Sequence, residues 1–322
     1  MMPSRIAIGA PARRQRGFTI MELLIASALA LVMLAGVSGL FLSATSTEKT
    51  NAGSSELMTN GRYALDVLRS DIIHAGYRGL TYAEPATPNT ALGAVTGECA
   101  GVGFVTNLRQ GIWGADESNP FSTTCIPSAN YSKGDVIVTR HVDLAPAAAL
   151  GATTYYFRSA YETGQIFQGN ALPASFTQTP RFDYPLVANV YYVNKFSVSS
   201  TENPVVPALW RVRLGAGPAM VREGVVSNVE DLAIQYGRLQ TDLRSRFYNG
   251  NQINTTVTSL TATPNEWDNV TSVRVWILMR ATNTEPGYIN TNTYVMGNKT
   301  VTVNDNYRRE LLSTVIQMRN QQ

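Results

Sequence analysis

Charge is scarce in these 322 residues: Asp, Glu, Lys and Arg make up 15% of the chain, against roughly 25% in ordinary soluble proteins. A surface with so few charges rests on Asn, Thr, Ser and Gln, a composition suited to a protein standing outside the cytoplasm. Histidine is scarcer still, with only His74 and His141. A catalytic imidazole constellation has little to draw on, and both histidines are read as structural. The cysteines are two, Cys99 and Cys125, and the further ligands a zinc site needs are missing from their neighbourhood. No Gly-x-x-x-x-Gly-Lys-Ser/Thr loop occurs. Gly215-Ala216-Gly217-Pro218 lacks the third glycine of a dinucleotide fingerprint and reads as a turn. Asp116-Glu117 and Asn304-Asp305-Asn306 offer oxygen ligands without the spacing of an EF-hand loop. The arginine pairs Arg308-Arg309 and Arg211/Arg213 read as solvated strand faces, not as a phosphate site. These absences point away from an enzyme: no catalytic residue, cofactor or metal is expected.

Proline is missing from Phe18 to Glu84, which leaves that stretch free to be helical. Its first part is set apart by polarity. Residues 1–17 carry Arg5, Arg13, Arg14 and Arg16 and no acidic side chain, while the run from Leu23 to Leu42 carries no charge over 20 residues. As a helix such a run spans about 30 Å of hydrocarbon. Arginines before it place the N-terminus in the cytoplasm and the chain after about residue 45 outside. A cleaved signal peptide, an uncleaved anchor and a processed signal whose apolar part is retained compete for this segment. An ordinary signal core is about 7–15 residues, so the run is too long for the first reading. The plain anchor leaves Glu22 unexplained, a carboxylate just inside the apolar stretch that asks for a partner.

The run Arg16-Gly17-Phe18-Thr19-Ile20-Met21-Glu22-Leu23-Leu24 resembles the class III export signal of type IV pilins and type II secretion pseudopilins. The resemblance implies that prepilin peptidase cuts between Gly17 and Phe18 and methylates the new amine of Phe18, leaving the helix in place. It also implies a role for Glu22, fifth in the mature chain, in neutralising the N-terminal amine of a neighbouring subunit during assembly. The physics agrees: a buried cation and a buried anion are each costly in lipid and each gains from finding the other.

Leu57, Gly61, Ala64, Leu65, Leu68 and Ile72 recur at spacings of three and four, an apolar stripe on a polar segment. One long helix to about His74 or Gly76 is predicted, its first half in the membrane and its second laid on a folded domain. Gly36, Gly39, Gly53 and Gly61 mark places of bending or of close packing. Beyond Tyr77 the pattern alternates. Residues 135–139, 153–157, 190–193 and 209–214 are β-branched and aromatic between Gly, Pro and Asn, and read as strands. In the last, Trp210, Val212 and Leu214 face one way and Arg211 and Arg213 the other, leaving one wet face. Val270 to Ala281 is apolar on both faces and reads as a central strand. Residues 80–130 and 240–266 read as long loops, functional or poorly ordered.

Three segments narrow the resemblance to the PilW family of minor pilins: Arg69-Ser70-Asp71-Ile72-Ile73-His74-Ala75-Gly76-Tyr77; Val229-Glu230-Asp231-Leu232-Ala233-Ile234-Gln235-Tyr236-Gly237; and Tyr307 to Asn320. The fold expected is α+β, a pilin fold in which a long N-terminal helix packs on an antiparallel sheet with large loop insertions. Its parts would be a leader (1–17), a membrane-spanning half-helix (18–45), an amphipathic half-helix (46–76) and a β-rich head outside the cytoplasm (77–322). The family implies a subunit of the type IV pilus tip complex that primes assembly and supports adhesion or motility. Its partners would be prepilin peptidase, other minor pilins and the major pilin, a tip adhesin, the inner-membrane assembly platform and membrane lipid. A J-type secretion pseudopilin and a stand-alone membrane-anchored binding protein or hydrolase are the alternatives. In an extracytoplasmic domain an even cysteine count favours a disulfide between Cys99 and Cys125, with two free buried thiols the alternative. The formal charge of +3 comes with the leader: without its four arginines, 22 basic face 23 acidic side chains. The head is near neutral, and nucleic acid is not an expected partner.

Overall fold

The proline-free stretch forms one helix, α1 (Ile20–His74), in the computed structural model, which describes residues 17–81, 92–169, 171–174, 176–253 and 266–320. The leader arginines Arg5, Arg13, Arg14 and Arg16, and parts of both expected loops, 82–91 and 254–265, lie outside the described residues. Thr19 begins the helix, its hydroxyl accepting from the Glu22 amide at 3.2 Å, the bond by which a Thr N-cap satisfies an orphan donor. The chain divides into two compact units, Met1–Ala52 and Gly53–Gln322. In the first, the apolar window of α1 has a mean hydropathy of 2.4 and none of it is buried. So apolar a surface left uncovered is what lipid or neighbouring helices would cover.

In the second unit the stripe is buried: Leu57, Gly61, Ala64, Leu68 and Ile72 face inward. What they cover is built from β8 (Val229–Leu239), β9 (Ser245–Tyr248), β10 (Val270–Arg280) and β13 (Arg309–Gln317), an antiparallel sheet ordered β13-β10-β8-β9. Val273, Val275, Ile277 and Met279 of β10 share one core cluster with the stripe. Ala233, Leu278 and Met296 form a second small cluster, with Trp276, Tyr294, Val301 and Leu311 packed on it. A hairpin of β11 (Thr293–Met296) and β12 (Lys299–Thr302) contributes to that second cluster. The central position and two covered faces expected of residues 270–281 follow from this layering.

A second antiparallel sheet holds β1 (Ile112–Ala115), β2 (Val136–Val142), β3 (Tyr155–Ser159), β4 (Gly164–Gln168), β5 (Phe182–Asn194), β6 (Ala208–Leu214) and β7 (Met220–Ser227). Strand β5 is its hub, pairing with β3 through Phe182–Pro185, with β2 through Leu186–Tyr191 and with β6 through Asn189–Asn194. The expectation of one sheet is thus corrected to two main sheets and a hairpin. Thirteen strand residues run where periodicity marked four, 190–193, because Pro185 inside β5 hides the strand from propensity; it stands opposite Tyr156 at the end of the β3 pairing.

The described part of the loop at 92–130 is also unlike its expectation. Phe104, Val105, Leu108, Phe121 and Ile126 are buried in the main core, and Cys99 and Cys125 are bridged across 26 residues. Gly111 meets the end of α1 so closely that a Cβ there would lie 2.4 Å from the Gly76 amide nitrogen. The described part of this segment therefore adds apolar side chains to the core with little regular structure.

Candidate functional site

At the start of the described chain Gly17 and Phe18 precede the helix in non-helical conformation, and the Phe18 side chain is largely exposed. The Gly17-Phe18 junction, where the resemblance implies a cut, thus lies on non-helical backbone just before the Thr19 cap. Glu22 stands three residues after that cap, at the positive end of the helix dipole. Among the described residues it has no ion-pair partner. It is the carboxylate at the third helical position, ahead of an uncovered apolar run.

The three segments that carry the finer resemblance are joined in the second unit. Arg69–Tyr77 ends α1, Val229–Gly237 lies in β8 and Tyr307–Asn320 contains β13. Strands β8 and β13 flank β10, and α1 is fastened to this platform at three levels. Asn60 Nδ2 donates to Asn228 Oδ1 at 3.2 Å, a Cβ on Gly61 would meet Leu312 and Met279, and Asn320 Nδ2 donates to the Ile73 carbonyl at 3.2 Å. Gly61 therefore serves close packing, one of the two roles its sequence position left open. Gly53, singled out with it, stands at the boundary between the two units.

Arg309 corrects the reading of Arg308-Arg309 as a solvated face. Its side chain is 3% exposed. Its Nε donates to Glu230 Oε2 at 2.5 Å, and Nη1 and Nη2 donate to Asp305 at 2.6 and 2.7 Å. Arg308 pairs with Glu285. Both Arg211 and Arg213 donate to Glu223 of β7, so they join strands instead of only facing water. Asp305, one of the oxygen ligands noted in the sequence, thus serves an arginine. Its carboxyl and that of Glu230 are held below their ordinary range by hydrogen bonds from Arg309, although for Glu230 burial works first in the opposite direction. Asp116 accepts from Asn249 Nδ2 at 3.4 Å and Glu117 pairs with Lys299 at 2.7 Å.

Acidic groups collect where β2 approaches β8. Asp135 is buried; it accepts from the Glu117 amide at 2.9 Å and the Ile234 amide at 2.6 Å. Burial, foremost, pushes its pKa up to about 7. Asp231 beside it is raised by burial as well and is bridged to Lys299 at 2.9 Å. A third polar group unites α1 with the other sheet. Asp71 Oδ2 accepts from Asn189 Nδ2 at 2.5 Å and Tyr191 OH at 2.6 Å, and His141 Nε2 stands 4.0 Å from Asp71 Oδ1. His74 and His141, read separately as structural, lie together with ring centroids 6.2 Å apart. The signal for this meeting was Asp71 itself, a carboxylate three residues after Leu68 and seven after Ala64 on the apolar stripe.

Comparison with known proteins places these features. Residues 190–320 match the family model described as Type IV Pilus-assembly protein W, a span that contains β8, β10 and β13. Residues 12–38 match the prokaryotic N-terminal methylation motif, a span that contains Gly17, Phe18 and Glu22. No curated protein matches the chain. Among solved structures, a type IV-like pilin from Thermus thermophilus is similar at 14% identity, covering 83% of this chain and 95% of its own, with a TM-score of 0.34.

Proposed function

We propose that this chain, a PilW-like type IV minor pilin by its matched domain and methylation motif, is a structural subunit that primes pilus assembly from a tip complex and catalyses nothing itself. Before assembly the apolar part of α1 anchors it in the inner membrane, with the N-terminus cytoplasmic and the β-rich unit outside. Prepilin peptidase cuts after Gly17 and methylates the amine of Phe18. The freed amine and Glu22 then guide docking, each finding in a neighbouring subunit the opposite charge that lipid does not supply.

The observation that carries this reading is the junction: an open Gly17-Phe18 backbone, a Thr19 cap and Glu22 on one helix whose next 20 residues are apolar and uncovered. An uncleaved anchor has no use for that constellation. Beyond the junction, the platform of α1, β8, β10 and β13 gives a rigid head, and its large size suits a tip position over a shaft position. The partners proposed are other minor pilins, the major pilin, a tip adhesin and the assembly platform.

Mass spectrometry of the membrane form tests the reading. The expected N-terminus is methylated Phe18, lost in a strain without prepilin peptidase. A chain that retains Met1, or one that begins near Thr45, overturns it. The tip placement has its own test: immunogold label confined to pilus ends is expected, and label along the shaft at major-pilin abundance refutes it.

A further inference from the structure

We propose that the surface cavity where the starts of β2 and β6 meet the ends of β5 and β10 is a binding site for an acidic peptide segment, with Lys133, Lys195 and Arg280 receiving its carboxylates. The cavity holds about 460 Å³, and the three cations line it together with Ser132, Glu230 and Tyr307. Pro204, Val205 and Pro207 form an apolar wall beside them.

Three separate elements bring the cations together. An antiparallel bridge between Tyr131 and Asn194 holds the segments of Lys133 and Lys195 side by side. The Lys195 N–H donates to the Asn130 carbonyl at 2.8 Å, and the Ser132 N–H donates to the Val193 carbonyl at 2.9 Å. Arg280, the last residue of β10, is oriented from two sides. Its guanidinium lies 4.6 Å from the centroid of the Tyr307 ring, and Nη2 donates to the Val205 carbonyl at 3.2 Å. A planar donor fork held in this way loses little freedom when it takes a carboxylate.

The positive charge of the cavity is not answered from within. Among the described residues neither Lys195 nor Arg280 is in an ion pair. Lys133 stands 3.4 Å from Glu230 and 3.8 Å from Asp231, but each carboxylate has a closer partner, Arg309 at 2.5 Å and Lys299 at 2.9 Å. In a chain with so little charge, three cations facing one carboxylate already gripped from behind are a local surplus. Glu230 registers it: burial raises its carboxyl, yet the Arg309 hydrogen bond and the charges of Lys133, Arg309 and Arg280 hold it below its ordinary value. Cations gathered at a partly desolvated site repel one another, and a bound anion relieves that repulsion.

The shape of the site selects among anions. Its volume far exceeds that of one phosphate group, so the charge it accepts is spread over several groups. The Tyr307 ring is already faced by Arg280 at 4.6 Å and Arg309 at 6.0 Å, which leaves it little face on which to stack a sugar. The wall of Pro204, Val205 and Pro207 suits the methylene stems of glutamate side chains. An extended run of carboxylates on a polypeptide meets all three conditions.

Full-length processed protein in non-ionic detergent, titrated into fluorescently labelled hexaglutamate and followed by anisotropy, tests the site. Saturable binding at low ionic strength is expected, lost on raising the salt to about 0.5 M, where screening is nearly complete within a few ångström. A hexaglutamine peptide should not bind. Lys195→Gln, at an exposed position, should keep the wild-type Tm and bind at least threefold more weakly, while Lys195→Arg retains affinity. Arg280→Gln should lose more than Lys195→Gln. Arg246→Gln on β9, 63% exposed and outside the cavity, should bind as wild type. Absence of saturable binding overturns the proposal, as does an equal loss in Arg246→Gln, which would mean that the whole surface attracts the peptide. Displacement of the peptide by inorganic phosphate or by oligogalacturonate at a lower concentration of charge overturns its assignment to a peptide. None of these results bears on processing at Phe18.

Discussion

Gly61 on α1 lies directly beneath Leu312 of β13, so that a Cβ added to the glycine would come 2.8 Å from Leu312 Cδ1 and 3.2 Å from Met279 Cγ. The helix is set this close to its platform because one position of the stripe has no side chain. Replacing Gly by Ala in a helix returns up to about 1 kcal/mol, and the contact it makes is with the movable end of Leu312. Gly61→Ala is therefore expected to fall within about 1 kcal/mol of wild type. Gly61→Leu should overpack the interface and cost about 1–3 kcal/mol. Urea unfolding followed by tryptophan fluorescence separates the two; equal stability of both variants would mean that the interface yields freely.

The arginine Arg309 is the second case. Glu230 and Asp305 grip it from two directions with its side chain 3% exposed. Removing one partner of a buried pair leaves an uncompensated charge, at roughly 3–5 kcal/mol. Glu230→Ala leaves Arg309 held by Asp305 alone, so its loss should fall below that full figure, at about 1–3 kcal/mol. The double change Glu230→Leu with Arg309→Leu should be less damaging than either single change, because no buried charge is left without a partner and the more exposed Asp305 is rehydrated. A double variant as unstable as the sum of the singles would show that the pair is not coupled.

This arginine also marks what the sequence conceals. Helix α1 was legible from end to end because an uncharged run and a stripe spaced by three and four are local patterns, and β10 was legible because both of its faces are apolar. Arg309 looked solvated because its partner Glu230 is 79 residues away, and no local pattern records such a pairing. Strand β5 was read only at 190–193 because Pro185 interrupts it. At the N-terminus the motif around Gly17, Phe18 and Glu22 was legible since it is contiguous, and residues 12–38 match the methylation motif. The meeting of His74 with His141 depends on the packing of α1 on β2, a relationship that belongs to the fold.

Asp135 predicts a dependence on pH. Its pKa is raised by burial to about 7, above the roughly 3.9 of an unfolded chain. The folded state thus binds the extra proton between about pH 4 and 7, and this group's contribution to stability is present at low pH and lost as pH rises through about 7. His141, lowered chiefly by burial, works in the opposite sense below about pH 6.5. Comparing wild type with Asp135→Asn isolates the carboxyl. The amide cannot accept from both the Glu117 and Ile234 N–H groups, so the variant is less stable throughout, and the gap in Tm should widen from pH 7.5 to pH 5. A constant gap would show that Asp135 does not titrate in that interval.

The bridge between Cys99 and Cys125 closes 26 residues. On the chain-entropy account such a crosslink stabilises by about 3–4 kcal/mol. The paired change Cys99→Ser with Cys125→Ser should lower stability by that order, and the loss should be core-wide, since Phe104, Phe121 and Trp113 pack against one another within or beside the closed loop. Tryptophan emission of the variant should therefore shift with the global unfolding transition. An earlier, separate transition would indicate that the loop unfolds alone.

Glu22 provides the prediction closest to function. Glu22→Ala leaves Gly17, Phe18 and the Thr19 cap in place, and the amide that donates to the Thr19 hydroxyl is backbone and survives the change. Peptidase processing should then proceed normally, giving the same methylated Phe18. Assembly should fail at the next step, because the amine of the incoming or neighbouring subunit has lost the carboxylate that offsets its burial in lipid. Glu22→Asp keeps the charge but draws it back by one methylene, so partial assembly is expected. Glu22→Gln keeps the shape and loses the charge, and should resemble alanine. Pilus counts by electron microscopy, set beside the mass of the processed chain, read both steps. Full piliation with Glu22→Gln would mean that the side chain acts by shape or hydrogen bonding and would remove charge pairing from the mechanism.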